Sequence, residues 1–152
     1  MKLGVFTPLF ADLSLEAMLD KVQQAGLDAV EIGTGGCPGN HHCPIDELLA
    51  SEASRASYLA QFASRGIVIS ALSCHDNPIS PVKAEREAAD SLLRKTIKLA
   101  ALLGVPVVNT FSGTAGNDDQ ATAPNWPVVA WPTVYSDIKT WQWETKLIPY
   151  WR

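Results

Sequence analysis

The feature that most constrains the fold is a helix–glycine–strand unit that occurs three times. In each unit an amphipathic segment with helical spacing ends at a glycine, and a short apolar stretch follows almost immediately. The glycines are Gly26, Gly66 and Gly104, and they follow one another after 40 and 38 residues. Short connections from a helix to the next strand are typical of parallel strands. The pattern therefore predicts repeated βα units around a parallel sheet.

The predicted strands and helices alternate along the chain. The apolar stretches predict four strands, at residues 2–6, 29–32, 68–72 and 105–111. Helices are predicted after Ser14, over residues 51–65, after the Ser80-Pro81 pair, and in the tail at 135–151. Ser14 is suited to cap the first helix, because its hydroxyl can accept a hydrogen bond from a backbone N–H of the first turn.

Four βα units fit either a small open doubly wound sheet or the first half of a (β/α)₈ TIM barrel. Glu31, Ser70 and Asn109 place polar side chains inside otherwise apolar strands. Central strands of an open sheet are covered on both faces and tend to be apolar throughout. The polar positions therefore favour four βα units of a barrel, with parallel strands and outer helices. We expect residues 1–152 to form a single domain of this α/β class.

Composition excludes several classes of function. The formal net charge is −4 and no basic cluster is present, so nucleic acid is not an expected partner. No apolar run reaches the roughly 20 residues that a membrane span needs. The N-terminal sequence does not have the pattern of a secretory signal peptide. Three cysteines, an odd number, do not indicate a set of structural disulfides. The cytoplasm is the expected compartment.

Four segments carry a resemblance to a known family: KLGVFTPLF, VEIGTGG with its PGNHH loop, ALSCHDNPISP, and VVNTFSG before a Trp-rich loop. Together they resemble the xylose-isomerase-like TIM-barrel superfamily, and within it the sugar phosphate isomerases/epimerases. The resemblance covers the whole chain in order. It implies an eight-stranded barrel whose C-terminal mouth binds a divalent metal (Mn, Mg, Co or Zn). It also implies metal-assisted proton transfer on a sugar through an enediolate.

The chain departs from the family in one respect. In the isomerases and epimerases the metal ligands and the proton-transferring glutamates lie on strands five to eight. The resemblance thus implies that residues 1–152 are the N-terminal half of an enzyme. We expect this half to lack a complete metal site, to bind no metal and to be inactive alone.

Five residues are predicted to contact a sugar or sugar phosphate: Phe6, Glu31, His75, Asn77 and Trp126. His75 follows the third strand, where its imidazole can form a hydrogen bond with a sugar hydroxyl. It is also a weak candidate for a metal ligand. The alternative interpretation is a loop histidine that bonds to the backbone. The Asn77 amide can form hydrogen bonds with sugar hydroxyls, but asparagine is equally typical of a turn before a proline such as Pro78.

Glu31 is a carboxylate in an apolar strand, which is costly unless the carboxylate has a partner. It either contacts substrate or forms a structural pair, for which Lys2 is a candidate. Phe6 and Trp126 could line the pocket with apolar rings, although Trp126 could equally pack within its own loop.

Two nearby patterns are weaker. Cys37, His41, His42 and Cys43 are all zinc-ligand types, but their spacing is not that of a zinc finger. The GTGG sequence is not a dinucleotide fingerprint, and its glycines are better explained by a tight turn. Neither pattern changes the set of predicted site residues.

Three functions remain open. The first is a sugar (phosphate) isomerase/epimerase-like enzyme. The second is an enzyme like the metal-dependent apurinic endonucleases. The net negative charge of the chain disfavours this function, because DNA binding needs basic residues. The third is a non-catalytic half-barrel that associates with itself as a homo-oligomer.

Overall fold

The computed structural model describes every residue from Met1 to Arg152. The chain divides into two compact units. The first consists of residues 1–75 and 92–110, and the second of residues 76–91 and 111–152. The prediction of a single domain stays a prediction.

The first unit contains the sheet. Its elements are β1 (Gly4–Phe6), a 3₁₀ helix (Thr7–Phe10), α1 (Leu15–Gln24), β2 (Ala29–Gly35), α2 (Ile45–Ala50), α3 (Glu52–Ala63), β3 (Val68–Cys74) and β4 (Val108–Thr110). Helix α4 (Lys83–Leu103) begins in the second unit and ends in the first. The second unit also contains α5 (Val134–Gln142), a π-helical segment (Trp143–Leu147) and α6 (Ile148–Trp151).

The sheet has four strands in the order β1-β2-β3-β4, and every neighbouring pair is parallel. Phe6 of β1 is the register partner of Glu31 in β2, and Glu31 is in turn the partner of Ala71 in β3. The sequential order with a helix between successive strands confirms the prediction of an α/β fold built from four βα units. This is the architecture of half a TIM barrel.

The helix boundaries follow local signals in the sequence. The Ser14 hydroxyl accepts a hydrogen bond from the Ala17 N–H at 3.2 Å, as predicted for the first cap. The glycines after α1, α3 and α4 all have positive φ, between 68° and 70°. Only glycine adopts this left-handed conformation without steric cost, so each glycine ends its helix and turns the chain toward the next strand.

The strand lengths differ from those predicted. Strands β2 and β3 continue to Gly35 and Cys74, whereas β1 and β4 are only three residues long. Strand β2 continues because Thr34 is buried and its hydroxyl has partners inside the protein. Its Oγ1 lies 3.1 Å from the Ser73 carbonyl oxygen and 2.8 Å from Thr96 Oγ1. A buried hydroxyl with such partners does not destabilise the strand.

The core lies on one face of the sheet. Val30, Ile32 and Leu72 are completely buried there, and α1, α3 and α4 supply most of the opposing side chains. Burying one large aliphatic side chain stabilises a fold by about 1.5–3 kcal/mol. This face therefore holds the sheet and the helices together. Among the helices, none is both long enough and apolar enough to cross a bilayer.

The core can be tested with one leucine from the sheet and one from a helix surface. Leu72→Ala should lower the free energy of unfolding by about 2–5 kcal/mol, because a cavity replaces a fully buried side chain. Leu102→Ala is the matched control, because Leu102 on α4 is exposed; its effect should stay within about 0.5 kcal/mol. Urea denaturation measures both values. Equal losses for the two variants would contradict this assignment of the core.

Candidate functional site

The face of the sheet opposite the core carries polar side chains. Successive residues of a strand point to opposite faces, so Glu31 points away from the side occupied by Val30 and Ile32. Ser73 follows the core residue Leu72, and its register partner on β4 is Asn109. Glu31 and Asn109 are thus on the non-core face, as their polarity predicts.

Two predicted site residues of the first unit, Glu31 and His75, are neighbours of Phe6 at the carboxyl end of β1. Phe6 is the last residue of β1 and pairs in register with Glu31. His75 directly follows β3, and its ring centroid lies 5.8 Å from that of Phe6, with the rings tilted by 59°. Phe6 thus has a carboxylate on the neighbouring strand and an imidazole beside its ring. Phe6 and His75 lie at strand ends, where parallel strands usually present ligand-binding groups.

Glu31 is partly buried and forms no ion pair with Lys2. The ion pair with Lys2, which was one candidate for a structural pair of this carboxylate, is therefore not formed. The non-core face can accept hydrogen bonds through Glu31, and an aromatic surface lies beside it in Phe6. The substrate-binding roles of Phe6, Glu31 and His75 stay predictions.

Asn77 belongs to the second unit, and its amide is engaged by the backbone. Its Nδ2 donates to the Thr114 carbonyl oxygen at 2.8 Å, and its Oδ1 accepts from the Thr114 N–H at 2.9 Å. The Ile79 N–H also approaches Oδ1, at 3.4 Å. These contacts are those of a residue that fixes a loop, which was the alternative interpretation of Asn77. Its role as a substrate ligand stays a prediction.

Trp126 also belongs to the second unit, and 55% of its surface is exposed. It lines a small cavity of about 170 Å³ together with Lys139 and Trp143. An exposed indole beside an ammonium group can contact the apolar face of a ligand, but the predicted contact with a sugar stays a prediction.

Gln142 has a role that sequence reasoning missed. It is 5% exposed, and its Nε2 donates to three carbonyl oxygens of the preceding loop: Ala115 at 3.0 Å, Gly116 at 2.9 Å and Asn125 at 2.9 Å. These bonds hold the long loop against helix α5. A glutamine in a helical pattern ordinarily indicates a surface position, so no local signal pointed to this role.

The Cys37–Cys43 segment does not form a zinc centre. Cys43 is buried in the core, and burial raises the pKa of its thiol to about 12. His42 is also buried, with Nε2 3.1 Å from the Leu13 carbonyl oxygen, whereas Cys37 and His41 are exposed. Across residues 1–152, no three His, Cys, Asp or Glu side chains come together in a group that could hold a metal ion.

Residues 19–141 match the sequence profile of the xylose isomerase-like TIM barrel family. The chain belongs to this family. The match runs from within α1 almost to the end of α5, and it includes Glu31 on β2 and His75 after β3. It agrees with the parallel four-stranded sheet and with the resemblance noted in the sequence.

Two similar proteins are about twice as long as this chain. It is 36% identical, over 154 aligned positions, to the "Uncharacterized protein YfiH" of Bacillus subtilis (strain 168); the match covers 100% of this chain and 49% of that protein. The crystal structure of a "Putative Xylose isomerase" from Rhodospirillum rubrum superposes with a TM-score of 0.57 at 17% identity, covering 92% of this chain and 46% of the other. The second likeness shows the fold alone. The chain spans about half the length of both relatives.

Buried His42 predicts a pH dependence of stability. Burial lowers the pKa of its imidazole below 6.5, and the hydrogen bond with Leu13 offsets part of that effect. The unfolded chain therefore binds a proton more readily, so the stabilising contribution is complete above pH 6.5 and is lost as the pH falls through and below it. We expect the free energy of unfolding to fall between about pH 7.5 and 5.5, by at most about 1.4 kcal/mol per pH unit from this group.

Urea denaturation at several pH values measures this slope. His42→Gln should reduce the slope strongly. His41→Gln should reduce it only slightly, because the exposed His41 contributes to the lowered pKa of His42 less than burial does. The same slope in wild type and His42→Gln would show that another group causes the loss.

Proposed function

We propose that this chain supplies the substrate-binding strand ends of a sugar or sugar-phosphate isomerase/epimerase. The observation that supports this proposal best is that Phe6, at the carboxyl end of β1, has two predicted site residues as neighbours. Glu31 on β2 is its register partner, and the ring centroid of His75, the residue after β3, lies 5.8 Å from that of Phe6. These residues lie outside the hydrophobic core cluster. Membership in the xylose isomerase-like family supports the same class of reaction.

Each of the three residues suits a polyhydroxylated substrate. The Glu31 carboxylate accepts hydrogen bonds from sugar hydroxyls, and a carboxylate acceptor forms stronger bonds than a neutral one. The His75 imidazole can donate to or accept from a hydroxyl near neutral pH. The Phe6 ring gives an apolar wall for the C–H surface of a sugar. Together they would fix the orientation of the sugar while a proton moves between adjacent carbons.

Asn77 and Trp126 have different parts in the proposal. The Asn77 amide already bonds the backbone of Thr114, so its first effect is to hold the loop after β3 in place. Any bond to substrate would have to use the remaining lone-pair capacity of its oxygen. Trp126 lies in the second unit, where its largely exposed ring suits the apolar face of a ligand, and its contact with the sugar stays a prediction.

The residues of this chain do not fit a complete divalent-metal site, because no suitable group of three ligands exists among them. We propose that the metal and the proton-transferring carboxylates belong to the part of the family fold that residues 1–152 do not cover. The relatives, which are about twice as long as this chain, make that arrangement reasonable. His75 is then a substrate contact first, and a metal ligand only if residues outside this chain complete the site.

The proposal can be tested by deuterium exchange from D₂O into a panel of aldoses, ketoses and their phosphates, with Mn²⁺ present and ¹H NMR as the measurement. A protein that joins residues 1–152 to the remaining half of the family fold should catalyse exchange, whereas residues 1–152 alone should not. Glu31→Gln and His75→Asn should lower kcat/KM by roughly 10- to 100-fold, because each removes a hydrogen bond to a charged or polarised group worth about 1.5–3 kcal/mol.

Glu47→Gln is the matched control, because Glu47 is an exposed carboxylate on α2 and should have no effect on exchange. Full turnover by residues 1–152 alone would contradict the proposal that the metal ligands and proton-transferring carboxylates lie outside these residues. An absence of exchange with every sugar tested, or normal exchange in Glu31→Gln and His75→Asn, would contradict the function.

A further inference from the structure

A cavity of about 720 Å³ lies within the second unit and is lined by none of the five predicted site residues. Residues 78–81 and the first turns of α4 form one side of it. The loop at residues 115–121 and the helical residues 141–150 form the others. Its volume is within the range of about 300–1,000 Å³ that is typical of small-molecule sites. Neither the family match nor the proposed function gives this cavity a role.

One wall of the cavity is aromatic and apolar. Trp141 provides an indole ring, and Pro78, Ile79 and Ala115 provide small apolar surfaces. The Lys146 Nζ lies 5.3 Å from the centroid of the Trp141 ring. A ligand on this wall would therefore meet an apolar surface and a hydrogen-bond donor together. That combination matches a molecule whose carbon skeleton carries many polar groups.

The charged groups of the cavity are held in place by partners. The Tyr150 hydroxyl donates to Asp90 Oδ1 at 2.7 Å, and Lys146 forms an ion pair with Asp119. Arg86 donates to the Ser80 carbonyl oxygen at 2.6 Å. A carboxylate has about four acceptor positions, and a guanidinium has five N–H donors. Each group therefore keeps hydrogen-bonding capacity for a ligand while its position is already fixed.

The balance of charge decides between classes of ligand. Four carboxylates line the cavity, against the two cations Arg86 and Lys146; the carboxylates are Glu87, Asp90, Asp118 and Asp119. This excess of negative charge disfavours a phosphate. The presence of fixed donors beside the acceptors favours hydroxyl groups, because a hydroxyl can donate to a carboxylate and accept from an ammonium or guanidinium group at once.

We propose that this cavity binds an uncharged polyhydroxylated molecule, such as a neutral sugar or a polyol. Trp141 contacts its C–H surface, and Asp90, Asp119 and Lys146 bond its hydroxyls. The inference goes beyond the proposed function, because it concerns other residues and needs no turnover. If the isomerase assay fails, the proposed binding of a polyol in this cavity is unaffected. If the cavity does not bind a polyol, the proposed substrate contacts of Phe6, Glu31 and His75 are unaffected.

Isothermal titration and saturation-transfer NMR on residues 1–152 test the proposal, with xylitol and D-fructose as neutral probes. Both probes should bind with dissociation constants in the millimolar range. D-fructose 6-phosphate should bind at least tenfold more weakly, because the cavity carries an excess of negative charge. Putrescine, a dication that the same charge would attract, represents the rival class of ligand. Trp141→Leu and Asp90→Asn should each weaken the binding of xylitol by about tenfold, which corresponds to about 1.4 kcal/mol.

Two control variants keep the test specific. Trp143→Leu and Asp137→Asn change exposed residues of the same types that do not line the cavity, and both should bind xylitol as the wild type does. Circular dichroism checks the fold of every variant, and Asp90→Asn serves as the second probe if Trp141→Leu unfolds. The proposal is wrong if neither neutral probe binds at up to about 50 mM. It is equally wrong if the phosphate or the diamine binds as tightly, or if the control variants lose binding too.

Discussion

The burial of a single face of the four-stranded sheet is the constraint on which the rest of the first unit depends. Val30, Ile32 and Leu72 are completely buried within the hydrophobic core cluster. Since side chains alternate along a strand, this burial forces Glu31 and Ser73 to the other face. A slip of one residue in register would bury the Glu31 carboxylate in the core. The hydrophobic core thus determines which polar groups the sheet can present.

The strand ends and the loops are stabilised in different ways. Phe6, Glu31 and His75 are positioned by the register of the sheet itself. In the second unit, side-chain amides fix the loops: Asn77 bonds Thr114, and Gln142 bonds three carbonyl groups. Buried carbonyl and N–H groups of a loop need such partners, because leaving them unsatisfied would cost about 1–3 kcal/mol each. Loops held in this way also keep their exposed aromatic residues in defined positions.

Local signals in the sequence were sufficient for the architecture. The helix-ending glycines and the alternation of Val30, Glu31 and Ile32 predicted parallel strands with one polar face, and both are present. The length of β2 could not be predicted, because Thr34 stands in a glycine-rich segment typical of a turn. What keeps it in the strand is a bond to Thr96, 62 residues further along the chain. The hydrogen bonds of Asn77 could not be predicted for the same reason, since its partner Thr114 is 37 residues away. Contacts between distant residues leave no local pattern to detect.

We propose that Glu31 lies on the sheet to bind a ligand and not to stabilise the fold. This proposal is tested by the free energy of unfolding of Glu31→Gln, measured by urea denaturation of residues 1–152. The carboxylate forms no ion pair with Lys2, so the variant should be as stable as the wild type or slightly more stable. A loss of about 1.5 kcal/mol or more would show that the carboxylate stabilises the fold through a native partner, and would contradict the claim.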